Sequence, residues 1–233
     1  MLRFMFVGDS TTIGSAGEHT WRYRMWEHLR DTLGGPFRIV GPRETLYDQA
    51  LDAPVSLEYA PGTDPAFPRA HLAGWGEGWQ HMAPLIRSAV GDHRPDVLLV
   101  SLGLIDLGFY TDADATARNV RRFVTEARAA DPRVRFVVLP VVPNIRADSD
   151  PAFAAEVARF NELLAKTAAD LDEPRSPVLL TSPPPGYDLA TDTYDGTHPL
   201  PSGEHKLAAA FAGAMSQAWG MGTEYRRDGD QGL

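Results

Sequence analysis

Short apolar runs alternate with segments of helical period along most of this chain. Strand-forming residues are concentrated at positions 2–7, 37–40, 95–102, 134–142 and 177–181. Between these runs, apolar residues recur at the spacing of one helix face at 20–33, 82–90, 112–130, 150–171 and from Ser202 or Gly203 onward. Five strands alternating with helices predict an α/β fold, in which a five-stranded parallel sheet lies between two helical layers.

One segment departs from this pattern. Residues 43–70 show no recognisable period and contain five prolines or glycines. A loop of this length inside a compact domain is often a lid or the wall of a site. No repeat, linker or shift of composition divides the chain, so we expect a single domain over residues 1–220. We expect the polar, glycine-rich tail over residues 221–233 to fray.

Composition narrows the classes of function. The chain has 233 residues and a formal net charge of −9, which argues against binding a nucleic-acid backbone. It contains no cysteine, which excludes disulfides and thiolate metal sites. The first apolar run is about seven residues long, too short for a signal peptide or a membrane span, so a cytoplasmic location is expected. The sequence predicts no particular oligomeric state.

The first apolar run ends abruptly at a polar turn. Gly8 is followed by Asp9, Ser10 and two threonines. Open α/β sheets bind their ligands at the carboxyl ends of the strands, so a serine at this position can present its hydroxyl to a cleft. The same string is also typical of a simple turn in which Ser or Thr caps the next helix. A catalytic interpretation of Ser10 therefore needs a partner base elsewhere in the chain.

A candidate base lies near the other end of the chain. Asp195 and His198 stand three residues apart, just before the last predicted helix. At that spacing the carboxylate can reach one imidazole nitrogen while the other nitrogen faces the cleft. A single surface histidine is commonly inert, but an Asp-x-x-His loop together with a serine turn after the first strand is a much rarer combination.

A glycine- and tryptophan-rich stretch covers residues 69–79. Gly74, Gly76 and Gly78 alternate with two tryptophans there, which suggests a backbone that approaches another group closely. The alternative is that these glycines only shape the entry to the following helix. Several aromatic residues near the polar turns are candidates for an apolar pocket or for plain core: Trp75, Trp79, Phe109, Tyr110 and Tyr194.

Together these motifs resemble the SGNH (GDSL-type) hydrolase family, whose fold is flavodoxin-like. The stretch Gly8 to Gly14 matches the family's nucleophile block, and Asp195 to Pro199 matches its last block. The stretch His71 to Trp75 is similar to the second block. The resemblance implies that Ser10 is the nucleophile, His198 the base and Asp195 the residue that orients it. The backbone N–H groups of Ser10 and Gly74 are then expected to hold the oxyanion.

The third block departs from the family pattern. The family has Gly-x-Asn-Asp, whereas this chain has Gly103, Leu104, Ile105 and Asp106, so a hydrocarbon replaces the side-chain amide. We expect four residues beside the blocks to contact the substrate: Asp9, Trp75, Ile105 and Asp106.

The resemblance implies hydrolysis of a small-molecule ester or thioester through an acyl-enzyme, without a metal or cofactor. Two alternatives stay open because of Ile105. One is a related serine-dependent enzyme of a biosynthetic pathway, such as an acyltransferase, and the other is a degenerate protein that only binds a ligand. The retained Ser10, Asp195 and His198 argue against pure binding, because a binding role does not require all three.

Overall fold

The computed structural model describes residues 1–226 and has a parallel sheet at its centre. Its strands are β1 (Leu2–Gly8), β2 (Phe37–Ile39), β5 (Leu72–Ala73), β6 (Val97–Ser101), β7 (Arg135–Leu139) and β8 (Val178–Leu180). The principal strands lie in the order β2-β1-β6-β7-β8, and the short strand β5 pairs with the end of β1. Without β5 the order is that of flavodoxin-like folds, with the switch point between β1 and β6. This confirms the predicted α/β architecture.

Helices cover both faces of the sheet. One face carries α2 (Trp21–Thr32) and α9 (Pro201–Trp219); the other carries α3 (Trp79–Met82), α4 (Ile86–His93), α5 (Ala113–Ala130) and α7 (Pro151–Leu171). Successive residues of β1 point to opposite faces, so Phe4 and Phe6 pack under α2 and α9 while Met5 and Val7 pack under the other layer. All four are fully buried, which explains why the strand reads as a nearly continuous apolar run.

The segment 43–70 is not one long loop. It contains an antiparallel hairpin of β3 (Leu46–Asp48) and β4 (Ala53–Ser56), which the sequence analysis missed. The helix expected at 82–90 is divided into α3 and α4. The other elements within residues 1–226 are short: α1 (Ser10–Ile13), a π-helical turn (Asp106–Tyr110), α6 (Arg146–Ser149) and α8 (Leu189–Asp192).

The end of the chain follows α9 without a further helix or strand up to residue 226. Tyr225 packs on the ring of His28, and its hydroxyl is hydrogen-bonded to Nδ1 of His205. The remainder of the predicted tail, residues 227–233, lies outside the described residues. Within residues 1–226, every helix is too short or too polar to cross a membrane.

Candidate active site

Three side chains meet at the carboxyl end of β1. Ser10, the first residue of α1, has its Oγ 3.0 Å from Nε2 of His198. Nδ1 of His198 lies 2.7 Å from Oδ2 of Asp195. The structure thus connects Ser10, His198 and Asp195 by hydrogen bonds, although Ser10 and His198 are 188 residues apart in the chain.

The loop before α9 holds the carboxylate in this position. Oδ1 of Asp195 accepts hydrogen bonds from the backbone N–H groups of Thr197 and His198, at 2.9 and 2.7 Å. Partial burial favours the neutral acid, but the hydrogen bonds and charge of His198 outweigh it and hold the pKa of Asp195 below its usual range. Asp195 is therefore an anion that accepts a hydrogen bond from the imidazole.

The turn that carries Ser10 is held by its neighbours. Oδ1 of Asp9 accepts hydrogen bonds from the backbone N–H and the hydroxyl of Thr11, at 3.0 and 2.8 Å. Buried Arg22 donates to the carbonyls of Thr12 and Ile13 at the end of α1. Asp9 is 3% exposed, and burial raises its pKa to about 6 against the hydrogen bonds from Thr11. These contacts give Asp9 a structural role in the turn, and its expected contact with the substrate stays a prediction.

Asp106 also has a structural role, in place of the expected substrate contact. Its side chain is fully buried, and its two carboxylate oxygens accept hydrogen bonds from the backbone N–H groups of Trp79 and Gln80 at the start of α3. Gly78 allows this approach, because a Cβ there would lie 2.3 Å from Oδ2 of Asp106. Trp79 itself is fully buried in the core and is no part of a pocket wall.

The backbone N–H of Gly74 is already engaged. It donates to the carbonyl of Gly8 at 3.1 Å and so extends the pairing of β5 with β1. This hydrogen bond conflicts with the oxyanion role expected of Gly74. Buried His71 supports the same strand, because its Nδ1 accepts from the N–H of Ala73 and its Nε2 donates to the carbonyl of Thr45. Burial and nearby arginines lower the pKa of His71 well below its usual value, which agrees with a neutral ring.

An apolar cleft of about 360 Å³ opens beside Ser10 and His198. Its walls include Ile105 and two aromatic residues of the π-helical turn, Phe109 and Tyr110, whose side chains are largely exposed. Further residues line it: Trp75, Gly76, Leu104, Gly108, Asn144, Arg146, Phe153 and Thr197. Ile105 and Trp75 therefore lie where the sequence analysis expected substrate contacts.

The imidazole of His198 stacks with two aromatic rings. Trp75 stacks on it at a centroid distance of 4.7 Å, and Tyr194 stacks on it at 5.7 Å. Tyr47, on strand β3, stacks on Trp75 at 4.2 Å. Tyr47 was not predicted as a site residue, because a strand of three residues inside an aperiodic segment carries no recognisable pattern.

The chemistry available at this site is that of hydroxyl, imidazole and carboxylate groups. Within residues 1–226, no three His, Asp or Glu side chains come together in a way that would hold a metal ion. Hydrogen bonds connect the hydroxyl of Ser10, the imidazole of His198 and the carboxylate of Asp195 beside an apolar cleft. In such an arrangement the imidazole can take the proton of the hydroxyl while the carboxylate orients the ring.

Comparison with known proteins gives one family and several similar folds. The model of the GDSL-like Lipase/Acylhydrolase family matches residues 6–206. An acetyl esterase mutant crystallised with acetate ion is 23% identical with a TM-score of 0.75, and covers 93% of this chain and 97% of its own. A carbohydrate esterase family 3 protein from Talaromyces cellulolyticus gives the same four values.

A family 3 carbohydrate esterase from Clostridium thermocellum is 19% identical with a TM-score of 0.72, and covers 93% of this chain and 96% of its own. At these identities the three structures share the fold with this chain. No curated protein matches the sequence significantly.

Proposed function

Because the chain belongs to the GDSL-like lipase/acylhydrolase family, we propose that it hydrolyses a carboxylic ester through an acyl-enzyme on Ser10. The observation that carries the proposal is the unbroken line of hydrogen bonds from Ser10 through His198 to Asp195 at the mouth of the cleft. Nucleophile, base and orienting group within hydrogen-bond reach of one another are the signature of covalent acyl transfer.

In the proposed mechanism His198 acts twice. Its Nε2 takes the proton of the Ser10 hydroxyl as Oγ attacks the ester carbonyl, and it then gives that proton to the leaving alcohol. The anion of Asp195 accepts from the Nδ1–H and stabilises the imidazolium. In the second half of the reaction the same nitrogen takes a proton from water as the water attacks the acyl carbonyl, and it returns that proton to Oγ of Ser10 as the bond to Oγ breaks and the acid leaves. A thioester reacts by the same steps, with a thiol as the leaving group.

The oxyanion has fewer donors than the family pattern provides. Ser10 is the first residue of α1, so its backbone N–H has no acceptor within the helix and is free to bind the oxyanion. The N–H of Gly74 is engaged by Gly8, and Ile105 has no donor. We therefore propose that this enzyme works best on esters with good leaving groups, whose barrier depends less on oxyanion stabilisation.

The cleft supports an apolar acyl group larger than acetyl. Ile105, Phe109 and Phe153 surround the space next to the nucleophile. Each buried methylene contributes about 0.8 kcal/mol, which is roughly a fourfold gain in kcat/KM per carbon as long as the cleft has room. Acetyl esters, the substrate class named for one structural neighbour, are the natural comparison.

The proposal is tested by labelling and by a substrate series. A fluorophosphonate should label Ser10 alone, and Ser10→Ala or His198→Ala should abolish labelling while circular dichroism shows an intact fold. On p-nitrophenyl esters, kcat/KM should rise from acetate to octanoate. Absence of labelling and of hydrolysis in the folded wild type would overturn the proposal.

Added alcohol acceptors decide between hydrolysis and acyl transfer. If the acyl group goes to the acceptor faster than to water, the protein is an acyltransferase, the alternative that the sequence left open. Formation of free acid in the presence of acceptor supports the hydrolase. The cytoplasmic location stays a prediction from the sequence.

A further inference from the structure

Four aromatic rings, one of them the imidazole of His198, form a continuous series of stacked pairs. The order is Tyr47, Trp75, His198 and Tyr194, and neighbouring planes are within 20° of parallel. The centroid distances of 4.2 to 5.7 Å are those of rings in contact. The members come from strand β3, the turn after β5 and the loop before α9, so only the tertiary structure brings them together.

The outer ring, Tyr47, is anchored to the segment that follows the nucleophile turn. Its backbone N–H donates to the carbonyl of Gly14 at 2.9 Å, and its carbonyl accepts from the N–H of Ala16 at 2.8 Å. Its hydroxyl donates to Asp52 in the turn of the hairpin. The hairpin in residues 43–70 therefore fixes this ring relative to the chain that leaves Ser10.

Trp75 transmits this anchoring to the base. It follows β5, which is paired with β1 at Gly8, and its ring stacks with those of both Tyr47 and His198. The hydrogen bonds of His198 to Ser10 and Asp195 lie in the plane of the imidazole, so they resist rotation within that plane. Rings stacked on the imidazole resist tilting out of it.

We propose that Trp75 is a positioning residue for His198 and that Tyr47 acts through Trp75. The inference rests on the proposed function, because it concerns the base of that reaction. The stack keeps Nε2 aimed at Oγ of Ser10, and the π-face of the indole also stabilises the imidazolium formed when the proton is transferred. A displacement of about 1 Å at such a base can cost about 100-fold in rate.

A wall of the substrate cleft would behave differently from a positioning residue. Loss of a wall weakens substrate binding and raises KM, whereas loss of positioning lowers the rate of the chemical step. The proposal predicts that Trp75→Leu lowers the acylation rate constant of a p-nitrophenyl ester by roughly 10- to 100-fold, with KM changed less than about threefold. Trp75→Phe, which keeps an aromatic face, should restore most of the rate.

The two rings should not act independently. Tyr47→Leu should lower the acylation rate in the wild type by a smaller factor, but should have almost no effect when Trp75→Leu is already present. Tyr47→Phe keeps the ring and should stay close to wild type. Phe67→Leu is the matched control, since Phe67 belongs to the same 43–70 segment but packs in the core away from the stack. It should reduce thermal stability without changing kcat.

The His198→Ala variant distinguishes positioning of the base from any other role of Trp75. In His198→Ala, Trp75→Leu should leave the residual rate unchanged, because the group that it positions is gone. A further loss in that background, an increase in KM alone, or additive effects of Tyr47→Leu and Trp75→Leu would overturn the inference. If Trp75→Leu does not fold, the acylation rates of Tyr47→Leu and Tyr47→Phe are compared instead. Equal acylation rates in these two variants would refute the positioning role of the stacked rings. Failure of the proposed function is a distinct result, in which the wild type itself neither hydrolyses esters nor is labelled.

Discussion

Asp9 should make the stability of this protein fall as the pH rises from acid to neutral. The carboxyl group is buried directly beside the nucleophile, and burial raises its pKa from 3.8 to about 6 although Thr11 donates two hydrogen bonds to it. The folded state therefore holds a proton at Asp9 at pH values where the unfolded chain has lost it. The stabilisation is fully present below the unfolded pKa and is lost as the pH rises through about 6.

The size of the effect follows from the two pKa values. A shift of about two units at 1.36 kcal/mol per unit amounts to about 3 kcal/mol. Asp9→Asn removes the ionisation but keeps the oxygen that accepts from the N–H of Thr11. We therefore expect the variant to be more stable than the wild type near pH 8, by up to about 3 kcal/mol, and the difference to shrink towards pH 4.

Urea unfolding of both proteins at intervals between about pH 4 and pH 8 measures this difference. The comparison is needed because Glu18, whose pKa burial raises to about 7, lowers the stability of both proteins over a similar range. Glu18→Gln in each background is the control and should leave the difference unchanged. Parallel stability curves for wild type and Asp9→Asn would refute the reasoning, because the buried carboxylate would then cost nothing to ionise.

Three further changes test other parts of the site and its frame. Ile105→Asn should raise kcat on p-nitrophenyl acetate roughly 20-fold over Ile105→Leu, whose side chain has nearly the same shape as that of Asn. An oxyanion donor contributes about 3–4 kcal/mol, and desolvation of the amide offsets about half of it. Equal rates, with a structure showing the amide on the oxyanion, would mean that another donor is already present. Asp195→Asn should lower kcat less than His198→Ala in steady-state assays, since Asp195 orients the base and does not transfer the proton; the reverse order would contradict these roles. Gly78→Ala should lower the free energy of unfolding by roughly 1–3 kcal/mol, because its Cβ displaces the buried carboxylate that caps α3. The exposed helical Gly91→Ala, with open space at its Cβ, is the control and should not destabilise the protein.

Local sequence was sufficient to predict the layers of the fold. It was also sufficient to single out Ser10, Asp195 and His198, which the structure joins by hydrogen bonds. A strand buried on both faces must be almost wholly apolar, so β1 and β6 were visible as runs that end at a glycine. Ser10 follows the first of these ends directly. Asp195 and His198 share one loop, and their spacing of three residues already limits how the carboxylate can meet the ring. The α/β architecture and the family that these residues indicated are confirmed.

Tertiary structure decided what the other polar and aromatic groups do. Asp106 looked like a cleft residue because it follows a strand, but it caps a helix that begins 27 residues earlier in the chain. Gly74 matched a motif for an oxyanion donor, but the partner of its N–H is the carbonyl of Gly8 in a neighbouring strand.

The rings that stack with His198 show most clearly which contacts could not be predicted from the sequence. Tyr47 and Trp75 belong to strands of three and two residues or the turns beside them, which are too short to display a period. A residue's contacts across the fold depend on the path of the whole chain, and neither composition nor spacing records that path. The sequence by itself therefore determined the layers and singled out Ser10, His198 and Asp195, which the structure joins by hydrogen bonds. Only the tertiary structure decided which rings stack with His198 and which backbone groups are already hydrogen-bonded, because those contacts form between segments that are distant in the chain.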